Sequence, residues 1–486
     1  MSLKQPFAQA PAVKILINIG SLLDIPTGTY LKGSKRENIL LGGLGTLTGV
    51  TGIANSYKST IMHYMMLSAA NRLSYTTETS MSTYDTEINI HESRLKAFAD
   101  RFECFADHDI INDGTWVITD KTMYYGNKWY EELKKFMAYK MANASKIQCT
   151  LPFFGRDHKT PLTIITPTFS EVDSFSHFET EDVAKIQNEN ELGDSGGNML
   201  HARQGLAKTR LLMELPNLAG ASNQFTLLSA HMGKEIQLAS GPFAPAPTKK
   251  LQHMAMGDKI KGVTDQFFFL MSNCWQTIRC SLLINQTTKG PEYPRDPSDN
   301  TSGDTDLNIV TLKLLRSKSG PSGTTIDLVV SQSEGVLPSL TEFHYIKGMD
   351  RFGISGSLHN YSLDLLPDVK VSRTTIRSKI DENKILRRAI NITAELCQIK
   401  ATFRHLHDVL VTPKELYDDL IAQGYDMNII LATRGWWTVN NDKHPELYLS
   451  TLDLVMMHSK NKDRHDAYFP YWMNPDKTIN PNYVTS

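Results

Sequence analysis

The residues best suited to chemistry are Gly52, Asn55, Ser56, Tyr57, Lys58, Ser59 and Thr60, within the run Gly52-Ile53-Ala54-Asn55-Ser56-Tyr57-Lys58-Ser59-Thr60. They follow a strand-like run at 45–50 and open an amphipathic helical pattern over 59–72. A strand that feeds a helix through such a turn leaves the first backbone N–H groups of the helix pointing at one spot, where a polyphosphate can accept them. In that geometry Lys58 reaches the outer phosphates of a nucleotide, and the Ser59 hydroxyl holds Mg2+. Such loops usually carry glycine before the lysine, whereas this chain has Tyr57. A Gly/Ser-rich turn of this kind also occurs as plain helix capping.

Carboxylates complete the chemistry. Tyr84-Asp85-Thr86-Glu87 closes a second strand-like run (80–86), so its acids emerge at the carboxyl edge of a sheet, on the side of the phosphate loop. Glu87 can there polarise a water; the plainer reading is a surface acid at a strand end. Val172-Asp173-Ser174 ends a further strand, read over 162–174, and Asp173 can hold the water shell of Mg2+ beside Ser59. Pro167 and Glu171 fit that strand poorly, because proline breaks a central ladder.

The elements that must position these residues follow from periodicity. Strand-like runs at 45–50, 80–86, 162–174, 224–230, 265–271, 308–315 and 324–331 alternate first with helices and later follow one another directly. That pattern is α/β, a mostly parallel sheet with an antiparallel extension. Residues 1–34 read as an N-terminal arm with one short helix (13–23), 35–345 as the α/β core and 346–486 as a mainly helical C-terminal domain. Two Gly/Pro-rich segments, 189–198 and 233–262, interrupt the core, the second too long for a plain connector. Residues 291–306 read as a mobile polar insertion. The pattern over 372–392 reads as an amphipathic helix with a basic face, Thr412-Pro413 as a helix start, and Trp436-Trp437 as core.

Composition sets the outer limits. The 486 residues, 41% hydrophobic and 21% charged, suit a large soluble protein, and no segment is apolar enough to span a bilayer. The stretch 10–23 is broken by Lys14 and lacks a small-residue cleavage site, so a cytoplasmic location is expected. Five scattered cysteines without a C-x-x-C pair suit a reducing compartment and argue against a zinc site. A formal charge of −1 does not advertise nucleic-acid binding, so any such surface must be local. Arg203, Lys208 and Arg210 cluster in a helix, Lys249, Lys250, Lys259 and Lys261 in a loop, and Arg377, Arg387 and Arg388 near the C-terminal domain. Each cluster could equally be solvated surface.

Taken in order, Gly52…Lys58-Ser59, Tyr84-Asp85-Thr86-Glu87, Val172-Asp173-Ser174, the run Glu189-Asn190-Glu191-Leu192-Gly193-Asp194-Ser195, Ser229-Ala230-His231 and Leu315-Arg316-Ser317-Lys318 resemble RecA-type recombinases. The likeness is to the UvsX-like recombinases of large bacteriophages, where an aromatic residue before the loop lysine and a histidine like His231 are family features. It covers about residues 24–345. It implies a RecA-like ATPase core, with ATP and Mg2+ bound by Lys58, Ser59 and Asp173 and water activated by Glu87. His231 matches the residue that senses the γ-phosphate, and Arg316 and Lys318 match basic residues that reach the nucleotide of a neighbouring subunit. The segments 189–198 and 233–262 match the family's DNA-facing loops, with Gly193, Gly197, Arg203, Lys234, Lys249, Lys250, Lys259 and Lys261 as candidate contacts, and Met232, Phe243 or Met254 as a wedge between bases.

The resemblance further implies an ATP-dependent recombination protein that forms helical filaments on single-stranded DNA, pairs it with homologous duplex DNA and exchanges strands. Its implied partners are further copies of the chain, a single-strand binding protein and a loading mediator, in the cytoplasm of an infected bacterial host at phage DNA, with no membrane. A hexameric helicase or motor ATPase on the same core, or a RecA-like regulatory ATPase without DNA work, remains open.

Overall fold

The structure is a computed structural model that describes residues 14–155, 159–189, 200–235, 249–299, 302–357, 359–461 and 467–483. At its centre lies a ten-stranded sheet. Its strands are β1 (Leu47–Gly52), β2 (Met81–Asp85), β3 (Trp116–Asp120), β4 (Thr168–Asp173), β5 (Gln224–Lys234), β6 (Asp258–Ile260), β7 (Asn273–Leu282), β8 (Leu307–Ser317), β9 (Thr325–Ser331) and β10 (Gly335–Val336). The spatial order is β10-β9-β8-β7-β1-β5-β4-β2-β3, with β6 on the end of β5. Pairing is parallel from β7 through β3 and antiparallel from β7 outward to β10. This is the α/β class expected from the alternation, a mostly parallel sheet with an antiparallel extension.

Both faces of the central parallel strands are covered: every residue of β1 and β4 is buried, although both strands carry Thr, and β4 also Ser170 and Glu171. Successive residues point to opposite faces, so Leu227 joins one core and Leu228 the other. Helix α1 (Lys58–Ser74) covers the first face, and α2 (Leu200–Ser222) packs Leu211, Leu212 and Leu215 on the second. The amphipathic pattern expected for α1 is not how it sits. Ile61, Met62, Met65, Met66, Leu67, Ala69 and Ala70 are all buried, because further chain closes over its outer side.

That cover comes from both ends of the sequence. Instead of an arm with a helix over 13–23, the chain runs extended, with Ile15, Ile17 and Ile19 buried and Ile17 bridging Leu44, before a short 3-10 turn at Ser21–Leu23. The β-branched residues at every second position favour this extended course. Helix α3 (Lys384–Thr402) and residues 430–457 with Trp472 and Met473 share the same core. Gln398 bonds the Leu22 carbonyl (2.8 Å), and Trp437 donates its backbone N–H to Asn18 (3.3 Å). Trp437 is therefore core, as expected, whereas Trp436 is only half-buried with the Arg72 and Arg434 guanidinium groups over its ring, and Thr412 with Glu415 forms a full capping box around Pro413.

Four other expectations change. The strand read over 162–174 is two, Pro161–Ile165 in a separate hairpin and β4, divided at Thr166-Pro167 because proline cannot continue the ladder. The strand read at 265–271 is a short helix, Gln266–Leu270, and the strand begins later, at Asn273. The insertion at 291–306 is anchored by fully buried Tyr293, hydrogen-bonded to His344 (3.0 Å). The basic face over 372–392 is largely lost to internal pairing, leaving Lys384 exposed beside Glu103 (2.8 Å). Arg377 is buried against Asp306 and Glu334, Arg388 is buried and donates to the Leu449 carbonyl, and Arg387 caps the carbonyls of Ile380 and Asp381. Among the described residues no helix is long and apolar enough to cross a membrane.

Candidate functional site

The central parallel ladders end together at Gly52, Asp85, Asp173 and His231, and a cleft of about 550 Å³ opens above them. Its walls include Asn55, Ser56, Tyr57, Lys58, Ser59, Thr60, Glu87, Asp173 and His231. Sequence-distant residues thus meet at one sheet edge, the usual ligand position of open α/β sheets.

The loop 52–57 turns sharply into α1. Asn55 (φ 55°) and Tyr57 (φ 59°) both occupy the left-handed region, so the position where glycine is usual does demand that backbone conformation, and tyrosine adopts it while its ring packs on the core. Ser56 Oγ bonds the Ile53 carbonyl (2.7 Å) and Thr277 (2.6 Å), pinning the loop to β7. Gly52 is needed here, because a Cβ would fall 1.8 Å from Thr277 Oγ1. No side chain caps the start of α1, whose first residues Lys58, Ser59 and Thr60 line the cleft. Lys58 is buried and donates to the Ile53 carbonyl (2.7 Å); burial lowers its pKa, against the nearby charges of Asp173 and Glu87.

Glu87 is held by an array that the sequence did not reveal. Its Oε1 accepts from His231 Nε2 (3.1 Å), Ser174 Oγ (3.1 Å) and His177 Nδ1 (2.9 Å), and its Oε2 from Asn89 (3.2 Å). The His231 bond foremost, against partial burial, holds the carboxyl down to about 2, so Glu87 is ionised at any working pH. The loop beneath it is tied by Asp85, whose buried carboxylate accepts the N–H groups of Glu87 (2.9 Å), Ile88 (2.9 Å), Asn89 (2.8 Å) and Ile90 (2.8 Å). Asp173 accepts from Ser229 (2.6 Å) at the end of β4. Behind the cleft His63 and Glu171 form a buried pair (2.6 Å), which explains the acid inside β4; burial presses the His63 pKa down, and Glu171 outweighs it and leaves it raised. His177, bonded to Glu87, and the cleft-lining Arg94 and Gln332 were missed: no fixed spacing ties them to the motifs, and only the fold brings them near.

A bonded path leaves the cleft. The His231 carbonyl accepts from Lys261 N–H (2.8 Å), its own N–H donates to Ser176 Oγ (2.9 Å), and that hydroxyl donates to the Lys261 carbonyl (2.9 Å). Fully buried Lys208 clamps the carbonyls of Ser176 (2.8 Å) and Gly262 (2.7 Å), and burial lowers its pKa to about 8. Gly262 sits at φ +64°, where a Cβ would lie 2.7 Å from the Ser176 carbonyl.

The remaining candidates lie elsewhere. Gly193, Gly197 and Phe243 fall outside the described residues. Lys208 points inward and Arg210 pairs with Glu214 (2.8 Å), so of that cluster Arg203 alone is an exposed cation without a pairing acid in the contacts described. Lys249, Lys259 and Lys261 are exposed; Lys234 pairs with Asp258, and Lys250 with Asp265 (3.1 Å). Met232 and Met254 are core residues, so neither serves as a wedge. Arg316 is in register with Cys274, which pairs with Gly49, and Lys318 N–H bonds the Ser272 carbonyl, so both lie toward the amino edge and neither lines the cleft. Compared with models of known protein families and with curated proteins, the chain finds no match.

Proposed function

We propose that the protein is a RecA-type, DNA-dependent ATPase that assembles on single-stranded DNA as a helical filament and exchanges homologous strands. The observation that carries this reading is the contact of Glu87 with His231 above the phosphate loop, at the root of the strand that runs into the 233–262 segment. It supports a water-activating acid coupled to a phosphate-sensing residue, which in turn is bonded to Lys261.

The residues fit ATP: an uncapped helix start, a buried lysine and a cleft of nucleotide size stand together. Lys58 exchanges the Ile53 carbonyl for the outer phosphates. Mg2+, when bound, neutralises phosphate charge, and Ser59 and Asp173 would hold it. A carboxylate held near pKa 2 is a weak base, so Glu87 in its present bonds orients water rather than deprotonating it. Attraction of His231 to a γ-phosphate oxygen releases Glu87, raises its basicity and pulls on Lys261 through the shared strand end. Hydrolysis reverses the pull, so ATP acts as a switch for DNA grip. Arg316 and Lys318, away from the cleft of their own chain, act on a neighbour's nucleotide.

Electron microscopy of the protein with single-stranded DNA and a slowly hydrolysed ATP analogue tests the reading: helical filaments are expected, and closed rings would favour a helicase or motor instead. Lys58→Ala should abolish DNA-stimulated hydrolysis in a folded protein, while Glu87→Gln keeps ATP binding and filaments but loses turnover. Near-normal turnover by either variant refutes the site.

A further inference from the structure

At the rim of the cleft stands a second group of potential cation ligands, unlike the oxygens of Ser59 and Asp173. Glu87 follows β2, His177 ends the short turn Phe175–His177, and His231 lies on β5. Their ligand atoms lie within 4.8 Å of one another. Glu87 Oε1 is 2.9 Å from His177 Nδ1 and 3.1 Å from His231 Nε2. The two imidazoles meet at 65° with centroids 5.3 Å apart, converging on the carboxylate instead of stacking. Ligands at ~2.0–2.1 Å from a tetrahedral ion stand about 3.3 Å apart, and both Glu87–imidazole separations already lie within a few tenths of an ångström of that spacing.

We infer that Glu87, His177 and His231 bind a divalent transition metal of the zinc class, with the fourth position open to the cleft. Two imidazole nitrogens and one carboxylate oxygen suit Zn2+ or Co2+ and discriminate against Mg2+, which prefers oxygen donors. On binding, the two N–H···O bonds to Glu87 are replaced by metal bonds: each ligating nitrogen gives up its proton, and the neutral imidazole carries its one N–H on the other ring nitrogen. The cysteine count gave no sign of this site because its ligands are histidines and a carboxylate from three separate elements. Resting on the proposed function, a consequence follows: the metal occupies both the water-activating acid and the phosphate-sensing residue, so Zn2+ inhibits hydrolysis even in excess Mg2+.

The test uses full-length protein freed of metal by a chelator and titrated with Co2+, followed by the visible absorption of the bound ion and by competition with Zn2+. One equivalent per chain is expected, displaced by Zn2+ and not by Mg2+. His177→Ala, at a largely exposed side chain, should weaken binding by at least ~10-fold, and His231→Ala likewise, whereas Lys58→Ala should leave it unchanged. No saturable Co2+ binding, or binding that survives loss of both histidines, overturns the site. Co2+ binding is read without ATP turnover, so a protein that binds the metal but hydrolyses nothing refutes the ATPase reading and leaves the metal site standing.

Discussion

Asp85→Asn is the sharpest test of how the cleft is held, because it changes one atom beneath Glu87 and removes nothing from the cleft wall. The carboxylate accepts four backbone N–H groups, two on each oxygen, from Glu87 through Ile90. These bonds also hold Ile88 at φ 55°, a left-handed conformation that a β-branched residue resists by roughly 1–3 kcal/mol. Asparagine keeps one acceptor oxygen and turns an NH2 group toward the other two N–H groups. Two charge-assisted bonds at ~1.5–3 kcal/mol each are lost, and water reaches this exposed turn and restores about half, leaving a deficit of about 2–3 kcal/mol.

That deficit falls on the turn, since the ladders from β2 to β3 and to β4 are untouched. Hydrogen exchange should therefore quicken about 30- to 150-fold at the amides of residues 87–90 and little in the sheet. With Glu87 no longer held in place, kcat should fall about 100-fold while ATP binding persists. Wild-type exchange at 87–90 together with wild-type turnover would refute the view that Asp85 positions the catalytic turn.

Three further outcomes are expected. Mixing Lys58→Ala with Arg316→Ala subunits should restore part of the DNA-stimulated ATPase that each lacks alone; no rescue in confirmed co-assemblies counts against shared sites. Replacing Lys259 and Lys261 together with alanine should flatten the slope of log affinity for single-stranded DNA against log salt by about 0.7 for each lysine that meets a phosphate, and an unchanged slope would move the DNA path elsewhere. Burial raises the Glu342 carboxyl to about 8 against its bond from Asn391, so its protonated form favours the fold; that contribution is full below the ordinary value of 4.5 and is lost as pH rises through about 8. The denaturation midpoint should therefore fall across that window in the wild type and fall less in Glu342→Gln, and equal slopes would refute the assignment.

What could be read from sequence, and what could not, divides along physical lines. The strand-loop-helix at 45–74 was legible because turn chemistry and helical period are local properties, and the alternation of strands with helices gave the mostly parallel class; the edge strand Trp116–Asp120 went unread, and the buried strands β2 and β4 carry Ser, Thr and Glu171 rather than apolar runs. Charge orientation was not. Lys208, Arg377 and Arg388 count as surface cations in composition, yet each is buried and donates to carbonyls or carboxylates that lie 32 to 71 residues away.

The same limit governs the site. Sequence order places Glu87, His177 and His231 on separate segments, and only the lateral order β5-β4-β2 sets their ends side by side. Strand order depends on long-range pairing that no residue pattern encodes locally. A lone histidine after a strand is therefore ambiguous by itself. It acquires a role from the neighbour that the sheet supplies, as His177 does from Glu87 across two strand ends, and hydrogen exchange at 87–90 in His177→Ala would show how far that neighbour depends on it in return.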